Sequence, residues 1–348
     1  MKKPALMVLA CSAVASSAFA QTSSVTLYGV ADAAVRQVKN GSAGTIKGVT
    51  SGANTTSRLG VRGVEQLGGG LSAGFHLESG VELDTGTSNA SKFWNRRSTI
   101  SLMGEFGEIR LGRDTTPTYN NSLNDEFGIV GVGSRGVFVY GSSAVLGSGA
   151  TTAQRTDNGV SYFLPKNLGG WFGQAHVAAG EGVVGSKYTG GRVGFENSAF
   201  LVGGAVGQTD VGSGQPKFKN YNLLFNYKSP WGTLHTLFDV KKWGQRKSQE
   251  LSVGATIPVL PSGSIRLGYT NANRSGGAAG SGYADADDST RMAIGYVHDL
   301  SKRSALYGTY ANISNKGGAR SSVLYTTPTG MRGGEKSSGL EVGVRHSF

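Results

Sequence analysis

The sequence predicts an all-β chain, a 16-stranded antiparallel transmembrane β-barrel, from three observations. A two-residue hydropathy period runs to the last residue. Short turns alternate with long loops. An export leader precedes a chain that has no apolar run long enough for a membrane helix. In the last nine residues, Leu340, Val342, Val344, His346 and Phe348 form one face, and Glu341, Gly343, Arg345 and Ser347 form the other. Such a period is a strand with one apolar and one wet face. The edge strand of a soluble β-sandwich is the alternative for these residues alone. A terminal aromatic suits a barrel whose outer face meets lipid and whose last strand pairs with its first.

The N-terminus argues for the barrel. Lys2 and Lys3 supply a positive start, Ala5–Ala15 is apolar but too short to span a bilayer, and Ala18-Phe19-Ala20 places small residues at cleavage positions. Residues 1–20 read as a signal peptide, and 21–348 as one barrel domain starting at Gln21. Cys11 raises a lipoprotein alternative, but Leu9 fits a lipid-attachment box poorly. Cys11 is the only cysteine, so a closed hydrogen-bond ladder must replace disulfides after processing.

Composition agrees. Glycine contributes 56 of 348 residues, about twice the usual ~7%, without a collagen repeat. The apolar share is only 38%, as expected when half of each strand faces water. The formal charge of +12 falls to +10 once Lys2 and Lys3 leave. A basic balance points to nucleic acid, anionic lipid or anionic solutes. Export argues against nucleic acid, and the charges are spread singly through alternating segments.

Sixteen segments alternate: Ser23–Val38, Asn54–Leu67, Leu71–Leu83, Phe93–Glu105, Gly107–Asp114, Thr156–Leu164, Trp171–Glu181, Tyr188–Glu196, Ser198–Asp210, Lys219–Ser229, Gly232–Gly244, Ser248–Val259, Gly263–Arg274, Ser289–Asp299, Ser304–Asn315 and Lys336–Phe348. Gly68–Gly70, Pro165–Gly170 and Ser229–Trp231 are among the short turns; 39–53, 84–92, 115–155, 275–288 and 316–335 are the longer loops. Short periplasmic turns and long external loops are the outer-membrane pattern, and an even strand count puts both termini on the periplasmic side. Parity sets facing: Tyr221, Leu223, Phe225 and Tyr227 face lipid, while Asn222, Asn226, Lys228 and Arg266 face the lumen. An Arg on the lipid face at mid-depth costs about 2–4 kcal/mol. Trp94, Trp171, Trp231 and Trp243 read as interfacial girdles.

Several stretches resemble the Gram-negative trimeric porins, especially those of β-proteobacteria: Ser24–Val30, Ser57–Gly63, Leu67–Leu71, Arg96–Leu102, Phe106–Arg113, Tyr296–Arg303 and Val342–Phe348. Each is weak alone, but they occur in order along the whole mature chain. The resemblance implies a homotrimer in outer-membrane lipid and lipopolysaccharide, with a water-filled pore in each barrel. It implies that loop 115–155 folds inward as a constriction loop. It also implies an arginine cluster on the wall facing acids on that loop: Arg58, one of Arg96 and Arg97, and Arg155, with Asp125 or Glu126 opposite. Parity prefers Arg97, which matches Thr99 and Ser101. Asp125–Gly128 resembles a Pro-Glu-Phe-Gly element of enterobacterial constriction loops, with Asp125 in place of the proline. The resemblance also implies that the terminal aromatic, Phe348, is part of the assembly signal.

Arginine stays charged when crowded or partly desolvated. Several on one wall select for anions in a focused field. Arg62, Arg110 and Lys228 share lumen parity and extend the basic track; the competing reading pairs such residues with acids such as Glu78 and Glu108. Gly131–Gly136 matches G-x-G-x-x-G by letter but lacks a strand–helix context. The histidines are scattered without metal-ligand spacing, so neither metal nor cofactor is expected. The resulting expectation is a passive channel for small hydrophilic solutes and inorganic anions. The rivals are a substrate-specific channel with a saturable site, an outer-membrane enzyme, and a surface adhesin. The enzyme needs a nucleophile–base pair that the sequence does not display.

Overall fold

A computed structural model describes residues 23–348 apart from 89, 90, 142 and 143. The leader, its cleavage point and Cys11 lie outside the described residues. Sixteen strands close one antiparallel barrel: β1 Ser24–Asn40, β2 Arg58–Gly68, β3 Leu71–Glu82, β4 Arg97–Gly104, β5 Gly107–Thr115, β6 Arg155–Phe163, β7 Trp171–Ala178, β8 Lys187–Glu196, β9 Phe200–Asp210, β10 Phe218–Ser229, β11 Gly232–Trp243, β12 Arg246–Leu260, β13 Gly263–Ser275, β14 Ser289–Asp299, β15 Ser304–Asn315 and β16 Ser337–Ser347. Each pairs with its sequence neighbours, and β1 closes on β16 in a register running from Val30 opposite Ser347 to Asn40 opposite Ser337. Closure leaves no edge, so the backbone donors and acceptors of the strands are satisfied in lipid.

Two faces emerge as the alternation requires. Tyr221, Leu223, Phe225 and Tyr227 are exposed on the outer face of β10, while Asn222, Leu224 and Asn226 are buried inside. On β16, Leu340, Val342 and Val344 face outward and Glu341 inward. Trp171 and Trp231 are exposed beside short turns, as girdle residues should be. Trp243 is not: it is half-buried and packs against the cluster of Leu146, Ala150, Val211 and Phe218, with Arg246 5.3 Å from its ring.

Three local expectations are corrected. The segment 39–53 is not a plain loop, because β1 continues to Asn40 and its outer half pairs with a strand over Thr45–Ser51. Thr45, Ile46, Val49 and Thr50 are β-branched and suit that ribbon. Within 84–92, Thr87–Ser88 pairs with the end of β3. Finally, β4 begins at Arg97 rather than Phe93; the Gly80 N–H donates to Asn95 Oδ1 at 2.8 Å, holding residues 95–96 in a bend.

Loop 115–155 enters the barrel. It carries two short helices, α1 Pro117–Ser122 and α2 Gly136–Val139. Asn121 donates to lumen-facing Asn222 at 3.2 Å, and Lys241 Nζ donates to the Phe138 carbonyl at 3.0 Å. The wall beneath is made of small residues. A Cβ on Gly254 or Gly268 would meet the Glu126 carboxylate at 2.3 Å, and one on Gly295 would meet Phe127 at 2.9 Å. Glycine is needed there for close approach rather than for its backbone freedom.

Candidate pore constriction

Antiparallel register builds the arginine wall. Gly60 lies opposite Glu78, and Glu78 lies opposite Arg97, so β2, β3 and β4 present these residues in one band. Arg58 opens β2, and Arg155 opens β6 on the far side of β5. Arg96 Nε donates to Glu78 Oε1 at 2.6 Å, and Arg58 Nε lies 3.6 Å from Glu78 Oε2. Arg155 Nε donates to the Arg96 carbonyl at 2.8 Å. Its guanidinium sits 5.6 Å from the centre of the Tyr119 ring on α1, which brings the loop against the cluster. Burial raises the Tyr119 hydroxyl above its ordinary range, against the pull of Arg155. Two guanidinium groups therefore meet the Glu78 carboxylate, Arg155 adds a third behind Arg96 through its backbone carbonyl, and the Arg58 Nε has no hydrogen-bond partner.

Both Arg96 and Arg97 face inward. Arg97 follows the expected parity, but its charge is engaged: Nε donates to Asp114 Oδ1 at 2.9 Å, and Nη1 donates to His76 Nδ1 at 3.1 Å. Arg96 escapes strand parity because it lies in the bend before β4. It, rather than Arg97, joins Arg58 at Glu78, and its carbonyl receives Arg155.

A second tier is electrically balanced. Arg110 pairs with Glu108 at 2.8 Å and with Asp114, and its guanidinium lies 4.3 Å from the Phe163 ring centre. Lys228 sits at a short-turn rim, exposed, and pairs with Glu196 at 2.8 Å. Of the three expected track residues, Arg62 alone meets no carboxylate among the described residues; it lies over Tyr28 at 5.3 Å.

Asp125 and Glu126 do not line the pore opposite the arginines. Their side chains are 1% exposed. Asp125 accepts from the Phe127 and Arg135 N–H groups and the Ser134 hydroxyl, each at 2.9 Å, which shapes the loop without the proline. Burial, with Glu126 beside it, raises the Asp125 carboxyl above its ordinary range, and Arg135 opposes this. Glu126 Oε1 accepts from Arg291 Nη2 at 3.2 Å on β14. These acids anchor the loop, because a buried carboxylate must be paired.

Sequence reasoning named Glu78 only as a pairing acid and did not place Tyr28, Tyr119, His76 or Asp114. The Tyr28 hydroxyl donates to Glu78 Oε2 at 2.7 Å. Lumen parity on β1, β3 and β5 was the available signal for Tyr28, His76 and Asp114. Tyr119, in a loop, carries no period.

A closed barrel with an apolar exterior and a charged lumen is the architecture of an outer-membrane channel. The chain belongs to the Gram-negative porin family, whose sequence profile matches residues 5–318. Outer membrane porin protein 32 of Delftia acidovorans is 35% identical over 368 aligned residues, covering 99% of this chain and 100% of that one. A major outer membrane protein P.IB of Neisseria meningitidis serogroup B is 32% identical, covering 60% of this chain and 71% of its own. Among solved structures, the anion-selective porin from Comamonas acidovorans superposes with a TM-score of 0.79 at 33% identity, over 94% of this chain and 100% of that one. The chain is thus an outer-membrane porin, a channel and not an enzyme.

Proposed function

We propose that this channel prefers anions among the small hydrophilic solutes it passes, and that Arg58, Arg96 and Arg155 are its selectivity filter, with loop 115–155 narrowing the pore beside them. The observation that carries this reading is the gathering of Arg58 and Arg96 at Glu78, with Arg155 bonded to the Arg96 carbonyl and set against the Tyr119 ring of α1. The excess positive charge there is fixed, since arginine does not titrate in the working range. Low-dielectric walls focus its field on the permeant ion. Each cation biases that ion by on the order of 1 kcal/mol at an effective dielectric between those of water and protein. The anion selectivity of the Comamonas relative supports the reading.

A homotrimer is the functional unit in this proposal, embedded in outer-membrane lipid and lipopolysaccharide, with residues 1–20 removed. An unheated gel reads the trimer and intact mass reads the leader. A Vibrio cholerae OmpT trimer shares the fold at a TM-score of 0.66 and 15% identity. The deciding experiment is the reversal potential in a planar bilayer under a potassium chloride gradient. Replacing Arg58, Arg96 and Arg155 together by serine shifts it towards cation preference, while Arg97→Ser shifts it less because Asp114 already offsets that charge. An unchanged potential in the triple variant places the filter elsewhere.

A further inference from the structure

We propose that the outer wall of the barrel holds a site for the phosphorylated, acylated base of lipopolysaccharide, with phosphate on Lys219, Lys242 and Lys247 and an acyl chain in the apolar groove beneath them. It rests on the outer-membrane setting proposed above and is independent of the filter arginines. The three lysines are in direct register: Lys219 on β10 lies opposite Lys242 on β11, and Lys242 lies opposite Lys247 on β12. All three share the outward parity of Tyr221, Val240 and Leu251. Lys219 and Lys242 are exposed, and Lys247 is half-buried.

Like charges directly opposed across strands destabilise a sheet. None of the three lysines meets a carboxylate among the described residues, because the acids of β11 and β12, Asp239 and Glu250, face inward onto Lys241. Asp210, on the outer row of β9, lies opposite Lys187 and accepts the Gly212 N–H through Oδ1 at 3.1 Å. The lysine row spans about 10 Å, since neighbouring strands lie about 4.8 Å apart. It sits where β10 begins, at the end of the barrel away from the short turn 229–231, and so at the level of the outer leaflet. An anion bridging the row removes the repulsion. Lysine suits phosphate as a compact point charge, and its aliphatic stem can lie on the apolar wall.

Below the row, towards the middle of the membrane, a groove of about 540 Å³ runs along the same face. Tyr221 and Val240 face each other at its upper end, Leu223 and Phe238 lie one step below, and Gly191 and Gly204 leave its floor bare. Beyond its chain neighbours, a Cβ on Gly204 would meet only the Leu223 side chain, at 3.4 Å, so packing does not require glycine there. The missing side chain instead leaves a dip in an otherwise bulky apolar surface. Charge above and a groove below match an amphiphile whose anionic group stays at the interface while its chain enters the bilayer. Free phosphate would use only the lysines, and a neutral lipid only the groove.

The test titrates the purified, folded channel in detergent with bisphosphorylated lipid A and counts bound lipid by native mass spectrometry. Phosphatidylglycerol, dephosphorylated lipid A and inorganic phosphate are the comparison ligands. Lipid A binds along a saturating curve, phosphatidylglycerol and dephosphorylated lipid A bind more weakly, and inorganic phosphate does not displace it. In Lys219→Gln/Lys242→Gln/Lys247→Gln the half-saturating concentration rises about tenfold or more, the loss expected for three interfacial cations. Arginine at the same three positions keeps the curve near wild type, which separates charge from folding. Gly204→Leu fills the groove and also weakens binding. Four outcomes overturn the site: an unchanged curve in the triple glutamine variant, an unchanged curve in Gly204→Leu, equal binding of phosphatidylglycerol, or displacement by inorganic phosphate. Membrane fractionation reads the setting separately. A channel found in the outer membrane that shows no saturable lipid A binding loses this site and keeps its setting.

Discussion

At the scale of single residues, the role of an arginine here depends on whether a carboxylate lies within reach. Arg97, Arg110 and Lys228 have carboxylate partners, Arg58 and Arg96 share Glu78, Arg155 bonds the Arg96 carbonyl, and Arg62 meets no carboxylate among the described residues. Parity predicted that most of these point inward, but pairing depends on neighbours two strands away. The chain end shows the same local logic. Phe348 exchanges backbone hydrogen bonds with Gly29, both at 3.1 Å, and a Cβ on Gly29 would meet the Phe348 ring at 2.3 Å. The ring can move, but the Arg58 carbonyl, 2.8 Å from that Cβ, is backbone of the paired strand, so Gly29→Ala strains the β1–β2 pairing and lowers stability. Gly29→Leu and deletion of Phe348 lower the folded, slow-migrating band on unheated gels. Unchanged folding in the deletion variant shows that the barrel seam does not need this aromatic.

At the scale of elements, loop 115–155 is a separate piece docked on the wall. Glu126 meets Arg291, the Val132 N–H donates to Glu341 at 3.0 Å, and Lys241 holds the Phe138 carbonyl. Loop 316–336 clamps it from outside: Tyr325 stacks on Tyr140 at 5.2 Å and donates to the Ile129 carbonyl at 3.1 Å. Breaking a buried pair costs about 3–5 kcal/mol because one charge is left uncompensated. Arg291→Met therefore loosens the loop without opening the barrel. Its conductance is larger and noisier than wild type, and hydrogen exchange rises in 123–136 while the strands stay protected. Equal exchange in that segment shows that the other anchors suffice. Loop 316–336 is itself tied to the turn after β1. Glu335 accepts from the Ser42 N–H at 3.0 Å and the Arg332 N–H at 2.8 Å, and these bonds hold its carboxyl below the ordinary glutamate range. With a lowered folded pKa, the tie is complete at neutral pH and is lost as pH falls below the usual value of about 4.3. Limited proteolysis at 316–336 accordingly increases in acid, and Glu335→Gln shows the same susceptibility at neutral pH.

At the scale of the whole molecule, the lumen field and the membrane set function together. The Debye length falls from about 10 Å at 0.1 M salt to about 3 Å at 1 M. The proposed anion preference is accordingly expected to be strong in dilute potassium chloride and to fade in concentrated salt; a salt-independent ratio indicates selection by size instead. The sequence by itself determined the barrel, its strand order, the facing of its side chains and the family, because a two-residue period and turn length are local properties. It also placed the arginines on the inner wall. Only the tertiary structure decided that Arg96 bonds Glu78 while Arg97 bonds Asp114, and that Asp125 and Glu126 are buried in the loop instead of facing the pore. It also decided that β1 carries an outer ribbon. Those outcomes depend on which charges meet across non-neighbouring strands and inside a loop without periodicity. Burial then determines which charge must be paired and which is left to act on a solute.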